Sequence, residues 1–166
     1  MQIAKLTTVL WVDKGEGRKA AEFWTSLFPD SHVGTTDAAP GDYPGGSQGD
    51  ELVVNFTLMG HAFMALAAGP EFKPNESVSF QVATDDQAET DRLWDAITGN
   101  GGAESQCGWC KDRWGFSWQI TPRALTEGMA DPDPATRKRV FDAMMTMKKI
   151  DVATIEAARA GSTADA

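Results

Sequence analysis

The sequence is poor in the residues that most often bind metal ions or close disulfides, with two histidines and two cysteines among 166 residues. It also has no long apolar run: the longest uninterrupted stretch, 62–68, is far shorter than the roughly 20 residues that span a bilayer. Acidic residues outnumber basic ones, and a net charge of -9 repels phosphate backbones and anionic lipid surfaces. We therefore expect no nucleic acid and no membrane among its partners.

The N-terminal residues lack the basic and then apolar order of a secretory signal. Together with the scarcity of cysteine, this favours a reducing, cytoplasmic location. A chain of this length can bury a substantial core, so neither a disulfide nor a structural metal is needed for folding.

The sequence does contain several stretches in which apolar and polar residues alternate. Period-two patterns predict half-buried strands at 5–13, 52–60, 61–69, 77–85 and 115–123. Helical spacing predicts helices at 17–28 and 86–98, the first ended by Pro29 and the second capped by Thr84 or Asp85 and stopped at Gly99. The glycine-rich and proline-rich stretch 36–50 predicts a mobile loop.

The order of these elements repeats. A strand, a helix, a short strand near 32–36 and the hairpin 52–69 are followed by a strand, a helix, a strand at 103–110, a turn and a strand. This order predicts two βαβββ modules. Beyond them, an Asp-Pro start at 133–134 predicts a helix that runs to Lys148-Lys149, and a last helix covers 151–160.

Several stretches carry a family resemblance: LWVDKGEGRKAAEFWTSLFPDS at 10–31, SQCGWCKDRWGFSWQITPRAL at 105–125 and AMMTMKKID at 143–151. They resemble the PhnB-like branch of the vicinal oxygen chelate superfamily, which includes glyoxalases, extradiol dioxygenases and bleomycin resistance proteins. The resemblance implies an α+β fold of two βαβββ modules around a cleft, usually in a homodimer. We expect a glyoxalase-like domain at 1–124, with modules of about 1–70 and 71–124, and a C-terminal helical extension at 125–166.

The branch often bears the label 3-demethylubiquinone 3-methyltransferase, yet we see no glycine-rich methyl-donor loop after a strand. The resemblance also implies four metal-ligand positions, which fall at Thr7, Ala65, Ser77 and Gln119. Only Gln119 could coordinate a divalent ion, so we expect no metal and no cofactor. His32 and His61 have no second ligand at metal spacing, and we interpret them as surface histidines.

If those four positions face the cleft, residues two apart on each strand share that face. The predicted ligand-binding residues are Thr7, Trp11, Asn55, Thr57, Phe63, Ser77, Ser79, Gln81 and Gln119. The opposite faces then carry Leu6, Leu10, Val12, Met64, Leu66, Val78, Phe80, Val82, Trp118 and Ile120. Such a cleft suits a small, flat, uncharged or weakly charged organic ligand, unless Trp11 and Phe63 fill it themselves.

The C-x-x-C pair lies in alternating sequence and not at a helix start, which argues against redox chemistry. Cys107 belongs to the family pattern Q-C-G-W, whereas Cys110 departs from it. Cys107 and Gln119 are weak catalytic candidates, and the reaction is unknown. The alternatives are a metal-dependent glyoxalase or dioxygenase, a drug-sequestering protein, a thiol oxidoreductase through Cys107 and Cys110, and a purely structural use of the C-terminal helix.

Overall fold

The computed structural model describes residues 4–161, which form two compact units with their boundary between Pro74 and Asn75. The first, module one, contains β1 (Thr8–Val12), α1 (Gly17–Leu27), β2 (His32–Ala38), β3 (Glu51–Leu58) and β4 (His61–Ala67). The second, module two, contains β5 (Ser79–Thr84), α2 (Gln87–Gly99), β6 (Ala103–Glu104), β7 (Trp109–Lys111), β8 (Ser117–Pro122), α3 (Arg123–Met129), α4 (Pro134–Met144) and α5 (Val152–Ala160).

The two modules share one topology. The strand order is β1-β4-β3-β2 in the first sheet and β5-β8-β7-β6 in the second. In each sheet the first strand pairs in parallel with the last, and the remaining pairs are antiparallel. The predicted α+β fold of two βαβββ modules is confirmed.

Helix α1 covers one face of the first sheet. It buries Ala20, Ala21, Trp24 and Leu27, and the chain turns extended at Phe28, before Pro29, as the prolyl ring requires. A Cβ atom on Gly17 would lie 3.2 Å from the Cβ of Ala67. The start of α1 therefore packs almost directly on β4, where only small side chains fit.

The hairpin between β3 and β4 corrects one part of the prediction. Its two-residue turn, Met59-Gly60, has positive φ at both residues and pairs Leu58 with His61. Because directly paired residues share a face, Asn55 lies beside Met64, while Ala65 lies between Val54 and Leu10 on the helix side.

Phe63 and Ala65, the β4 residues expected in the cleft, therefore face α1, and Ala67 faces α1 with them. Met64 and Leu66, expected under the helix, lie on the opposite face of the sheet instead. Ala65 and Ala67 are fully buried. Leu6 and Val78, placed under helices by the same alternation, precede their strands and are 85% and 66% exposed.

In module two the alternation is confirmed. Val82, Trp118 and Ile120 are buried on the α2 side, while Ser79 pairs with Ser117 and Gln81 with Gln119 on the far face, defined as the face opposite α2. The cap of α2 is Asp86 and not Thr84 or Asp85. Its carboxylate accepts the Glu89 N–H at 2.8 Å, while the Glu89 carboxylate accepts the Asp85 N–H at 2.8 Å.

The C-terminal helices differ from the prediction in length and number. Asp133 caps α4 as expected, but the helix ends at Met144, and the unpredicted α3 precedes it. Leu125, Val140, Ile150 and Ile155 form the buried cluster among these helices. Residues 162–166 of the predicted extension lie outside the described residues.

The predicted loop 36–50 starts later than expected, since β2 continues to Ala38. Buried Ala39 then exchanges backbone hydrogen bonds with the far end of the loop, donating to Asp50 and accepting from Gly49. The Lys14 ammonium pairs with the Asp50 carboxylate at 2.7 Å, which lowers the pKa of Asp50. The loop is therefore tied at its base to module one.

Candidate functional site

The face of the first sheet opposite α1, here the cleft face, holds a cleft of about 590 Å³. That volume lies within the range of small-molecule sites. Its lining combines hydroxyl, amide and apolar groups with one carboxylate and one imidazole: Ala4, Thr7, His32, Gly34, Thr35, Asp37, Asn55, Phe56, Thr57, Ala62, Phe63 and Met64.

The register explains how three predicted residues come together there. Asn55 lies beside Met64 and Thr57 beside Ala62, and the β1 alternation brings Thr7 to the same face. His32 pairs with Thr57 and Asp37 with Val53, so the edge strand β2 adds two groups that the sequence analysis did not place in the cleft. The pairing of β2 with β3 would have placed His32 and Asp37 in the cleft, but this pairing cannot be predicted from the sequence of so short a strand.

Phe63 borders the cleft, but its ring belongs to the other side of the sheet. It stacks on Phe56 at 5.3 Å between ring centroids, and Phe56 stacks on Trp24 of α1 at 5.5 Å. This column of three rings supports the cleft from below. Phe63 therefore lines the cleft only at its border, while its ring belongs to the packing beneath.

Trp11 is on the cleft face, yet its polar atom is already used. The indole N–H donates to the Gly69 carbonyl at 2.8 Å, and Phe72 meets the ring edge-on at 4.8 Å. Trp11 is absent from the residues that line the cleft. Trp11 therefore lies on the predicted face of the sheet, but outside the residues that line the cleft.

The far face of module two carries the other predicted residues. Gln119 lies between Gln81 and Trp109 in the sheet, and its Nε2 donates to the Ser79 hydroxyl at 2.8 Å. Ser117, next to Ser79, is 2% exposed, and its hydroxyl has no partner among the described residues. Ser77 precedes β5 and binds the Asn75 side chain instead.

A charged pair borders this far face. Lys111, beside Ser117, pairs with Glu76 and holds the pKa of that carboxyl below its usual range.

The Q-C-G-W stretch forms a tight turn and not the predicted continuous strand. Cys107 and Gly108 both have positive φ, and the Trp109 N–H closes the turn onto the Gln106 carbonyl at 3.0 Å. The Cys107 and Gly108 N–H groups donate to the carbonyls of Met147 and Lys148 at 2.8 and 2.7 Å. The family motif is therefore held by the segment between α4 and α5.

The two thiols have different surroundings. Cys110 is 1% exposed and pairs with Trp118 on the α2 side of β7. Burial, and then the nearby Asp112 carboxylate, raise its pKa to about 12. Cys107 is half-buried and its Sγ lies 3.7 Å from the Met145 Sδ. A thiol that stays protonated is a poor nucleophile, so Cys110 does not suit exchange chemistry.

Thiol titration should separate these cysteines. With Ellman's reagent we expect Cys107 to react in the native protein and Cys110 to react only after denaturation. Because folding raises the Cys110 pKa from 9.0 to about 12, the associated stability is present below pH 9 and falls as the pH rises across that window. Cys107→Ser should abolish the native signal, whereas loss of both thiols to mild peroxide without an intermolecular dimer would support the oxidoreductase alternative.

Divalent metal ions do not fit the groups present at the implied ligand positions. Ala65 is buried against the α1 side, and Thr7 and Ser77 offer only neutral hydroxyls. No cluster of three or more His, Cys, Asp or Glu side chains exists between residues 4 and 161. We therefore derive no step through a metal ion.

A glycine-containing spacing does follow the first strand. Gly15, Gly17 and Ala20, between β1 and α1, have the spacing G-x-G-x-x-A. The structure gives Gly17 a packing role, since a Cβ atom there would lie 3.2 Å from the Ala67 Cβ, and Glu16 pairs with Lys19. The spacing does not indicate nucleotide binding here.

None of the helices within residues 4–161 has the length and apolarity needed to span a bilayer. The model of the 3-demethylubiquinone-9 3-methyltransferase family matches residues 4–121 and ends before α3. No curated protein matches the chain.

The chain is similar to several solved structures. A putative 3-demethylubiquinone-9 3-methyltransferase, PhnB protein, from Bacillus cereus is 27% identical, with a TM-score of 0.62 over 72% of this chain and 99% of its own. Protein PA1353 from Pseudomonas aeruginosa is 20% identical, with a TM-score of 0.52 over 72% and 98%. A glyoxalase/bleomycin resistance protein from Albidiferax ferrireducens T118 matches at 15% identity and a TM-score of 0.45, over 72% and 99%.

The family model thus covers most of the chain. The repeated βαβββ topology and the Q-C-G-W turn agree with the same group of proteins. The chain belongs to the 3-demethylubiquinone-9 3-methyltransferase family, in the PhnB-like branch of the vicinal oxygen chelate superfamily.

Proposed function

We propose that this protein binds a small organic molecule in the cleft of module one. The observation that carries the proposal is the cleft itself, about 590 Å³ on a sheet face where Thr7, Asn55, Thr57 and Met64 converge. A concave site of this size, with a few polar groups on a largely apolar wall, is typical of ligand binding. The proposal is limited to binding, because none of the described groups in the cleft pairs His32 with a hydroxyl or with Asp37, and no metal-binding cluster lies there.

The support beneath the cleft favours binding over accidental surface shape. Phe56 and Trp24 are almost fully buried and stack below the sheet, so the strands that carry Asn55 and Thr57 are held from behind. A prearranged site loses less conformational entropy when a ligand binds.

We also propose that the far face of module two contributes to ligand binding. Ser77, Ser79, Gln81 and Gln119 were predicted for this role. The buried Ser117 hydroxyl, which has no partner among the described residues, supports it, because buried polar atoms normally have partners.

We also propose that the chain is a cytoplasmic homodimer. In this proposal the predicted segment 125–166 is a helical extension of the glyoxalase-like domain. Strand β1 lies at the edge of its sheet, Val9 on it is 51% exposed, and Leu6 just before it is strongly exposed. These exposed apolar side chains at a sheet edge support association between copies of the chain.

Occlusion of the cleft tests the proposed function. Thr57→Trp should fill the space between His32 and Ala62 and abolish binding of any ligand that a metabolite and drug panel identifies by calorimetry and thermal shift. Ser26→Trp, on the exposed side of α1, is the matched control and should bind as the wild type does. A hit that binds Thr57→Trp with unchanged affinity, or a panel without any hit, would contradict the proposal. Sedimentation velocity on the same samples measures the mass of the assembly.

A further inference from the structure

The turn that follows α2 contains an asparagine directly before a glycine, Asn100-Gly101. Both residues are exposed, and Asn100 is the C-cap of α2. The other asparagines of the chain, Asn55 and Asn75, are followed by phenylalanine and glutamate. Asparagine is a thermolabile residue, because the backbone nitrogen of the next residue can attack its side-chain carbonyl carbon. The order Asn-Gly therefore distinguishes Asn100 from the other two.

Gly101 leaves space for this attack. It has no Cβ atom to crowd its own nitrogen, and glycine adopts more backbone conformations than any other residue. Its φ here is +86°, and among the described residues the only atom within 4 Å of an added Cβ would be the Arg113 Cβ, at 3.3 Å. The surroundings of the turn therefore permit it to change conformation.

The structure on either side of the turn is fixed. Ile97, before it, has no exposed surface. Gly102, after it, packs so closely that a Cβ atom would lie 2.3 Å from the carbonyl oxygens of Ile97 and Lys111. Local opening is therefore confined to the last helical turn and Gly101, and the ends of helices open at little cost.

One contact works against the reaction. The Asn100 Nδ2 atom donates to the Ala96 carbonyl at 2.7 Å, which holds the side chain along the helix. A net hydrogen bond of this kind shifts a conformational equilibrium by about five- to tenfold. This contact slows the attack and does not prevent it, because the nitrogen and the carbon belong to neighbouring residues and need no encounter.

We propose that Asn100 is a site of spontaneous deamidation. The Gly101 nitrogen loses its proton to hydroxide and forms a bond to the Asn100 Cγ atom, the Cγ–Nδ2 bond breaks, and the side-chain nitrogen leaves as ammonia. Water then opens the cyclic imide at either carbonyl, which produces aspartate or isoaspartate at this position. The net change consumes one water and releases one ammonia, without an oxidant or a cofactor.

Both products change the end of α2. The Ala96 carbonyl loses its donor, and a carboxylate appears at the helix C-terminus, where the partial charge is already negative. Isoaspartate also lengthens the backbone by one atom between α2 and β6. The modified protein is therefore more acidic than the unmodified chain, and the last turn of its α2 is looser.

Peptide mapping tests the site. The native protein is kept for days at raised temperature and mildly alkaline pH, digested with trypsin and analysed by mass spectrometry. The tryptic peptide 93–111 has Asn100 as its only asparagine, and we expect it to gain one mass unit while peptides with Asn55 and Asn75 keep their mass. The gain should be faster at higher pH, because the attacking nitrogen must lose its proton. Methylation by an isoaspartyl methyltransferase should detect the isoaspartate product.

Asn100→Gln is the matched control, because it keeps the amide and lengthens the side chain by one carbon, which disfavours closure of the ring. Its peptide 93–111 should keep its mass. A gain of mass in Asn100→Gln would place the reaction at Gln106 and overturn the inference. Equal rates at Asn100 and the exposed Asn75, or a gain only in urea-denatured protein, would overturn it as well.

Discussion

Replacing Trp24 by alanine should lower the free energy of unfolding by about 3–5 kcal/mol, the cost of removing a large aromatic side chain from a packed core. Trp24 has no exposed surface and lies in the centre of α1 above the first sheet. Its ring stacks on Phe56, which in turn stacks on Phe63. The substitution leaves a cavity whose walls belong to a helix and two strands, and such walls relax only in part.

The matched control is Phe72→Ala, because the Phe72 ring is 59% exposed and contacts Trp11 at its edge. Urea denaturation followed by circular dichroism measures both variants, and the control should lose far less stability. The Trp24 variant should also bind the cleft ligand more weakly, since Asn55 and Thr57 are on the strand that Trp24 supports. Equal loss of stability in both variants would show that the ring column is not a core of module one.

Sequence alternation was sufficient to find the strands, but it did not show which face of β4 is turned toward the cleft. An apolar strand such as 61–67 has no polar face to mark its orientation, so its alternation can be assigned either way. The decisive information was in the turn: Met59-Gly60 is a two-residue connection, which fixes Leu58 opposite His61. Reading that turn first would have placed Met64 in the cleft and Ala65 under α1.

The residues at the edge were missed for a different reason. His32 and Asp37 are on β2, an exposed edge strand with two irregularities in its register to β3. Bulges change which residues share a face, and the number of bulges in a strand cannot be predicted from its sequence. In module two, where β5 and β8 have strong alternation and no such irregularity, Ser79, Gln81 and Gln119 appear on the predicted face.

The second large effect concerns the family motif at 105–111. Gly108 has a φ of +82°, and a Cβ atom there would lie 2.9 Å from the Ile120 carbonyl oxygen and 3.1 Å from the Ile150 Cγ1. Gly108→Ala should therefore cost about 1–2 kcal/mol for the left-handed backbone and a further 1–3 kcal/mol for the crowding. Both neighbours are almost fully buried, so the backbone of β8 or the Ile150 side chain would have to move.

Gly60→Ala separates the two contributions. Gly60 has a φ of +79° but nothing within 4 Å of its added Cβ atom, so it should lose only the backbone part. Equal destabilisation of the two variants would mean that the contacts to Ile120 and Ile150 relax without cost.

Crowding at Gly108 should also loosen the segment 147–152, because that segment receives the Cys107 and Gly108 N–H groups and packs the buried Ile150 against Gly108. The Gln87 side chain, bonded to the Ile150 carbonyl and the Val152 N–H, holds the far end of the segment. The pairs of Lys148 with Glu104 and of Lys149 with Asp91 are partly exposed to solvent, and such pairs contribute little. Trypsin should therefore cleave after Lys148 and Lys149 faster in Gly108→Ala than in Gly60→Ala. The Q-C-G-W turn would then be the anchor of the C-terminal helices, a structural use of the motif that requires no chemistry from the Cys107 thiol.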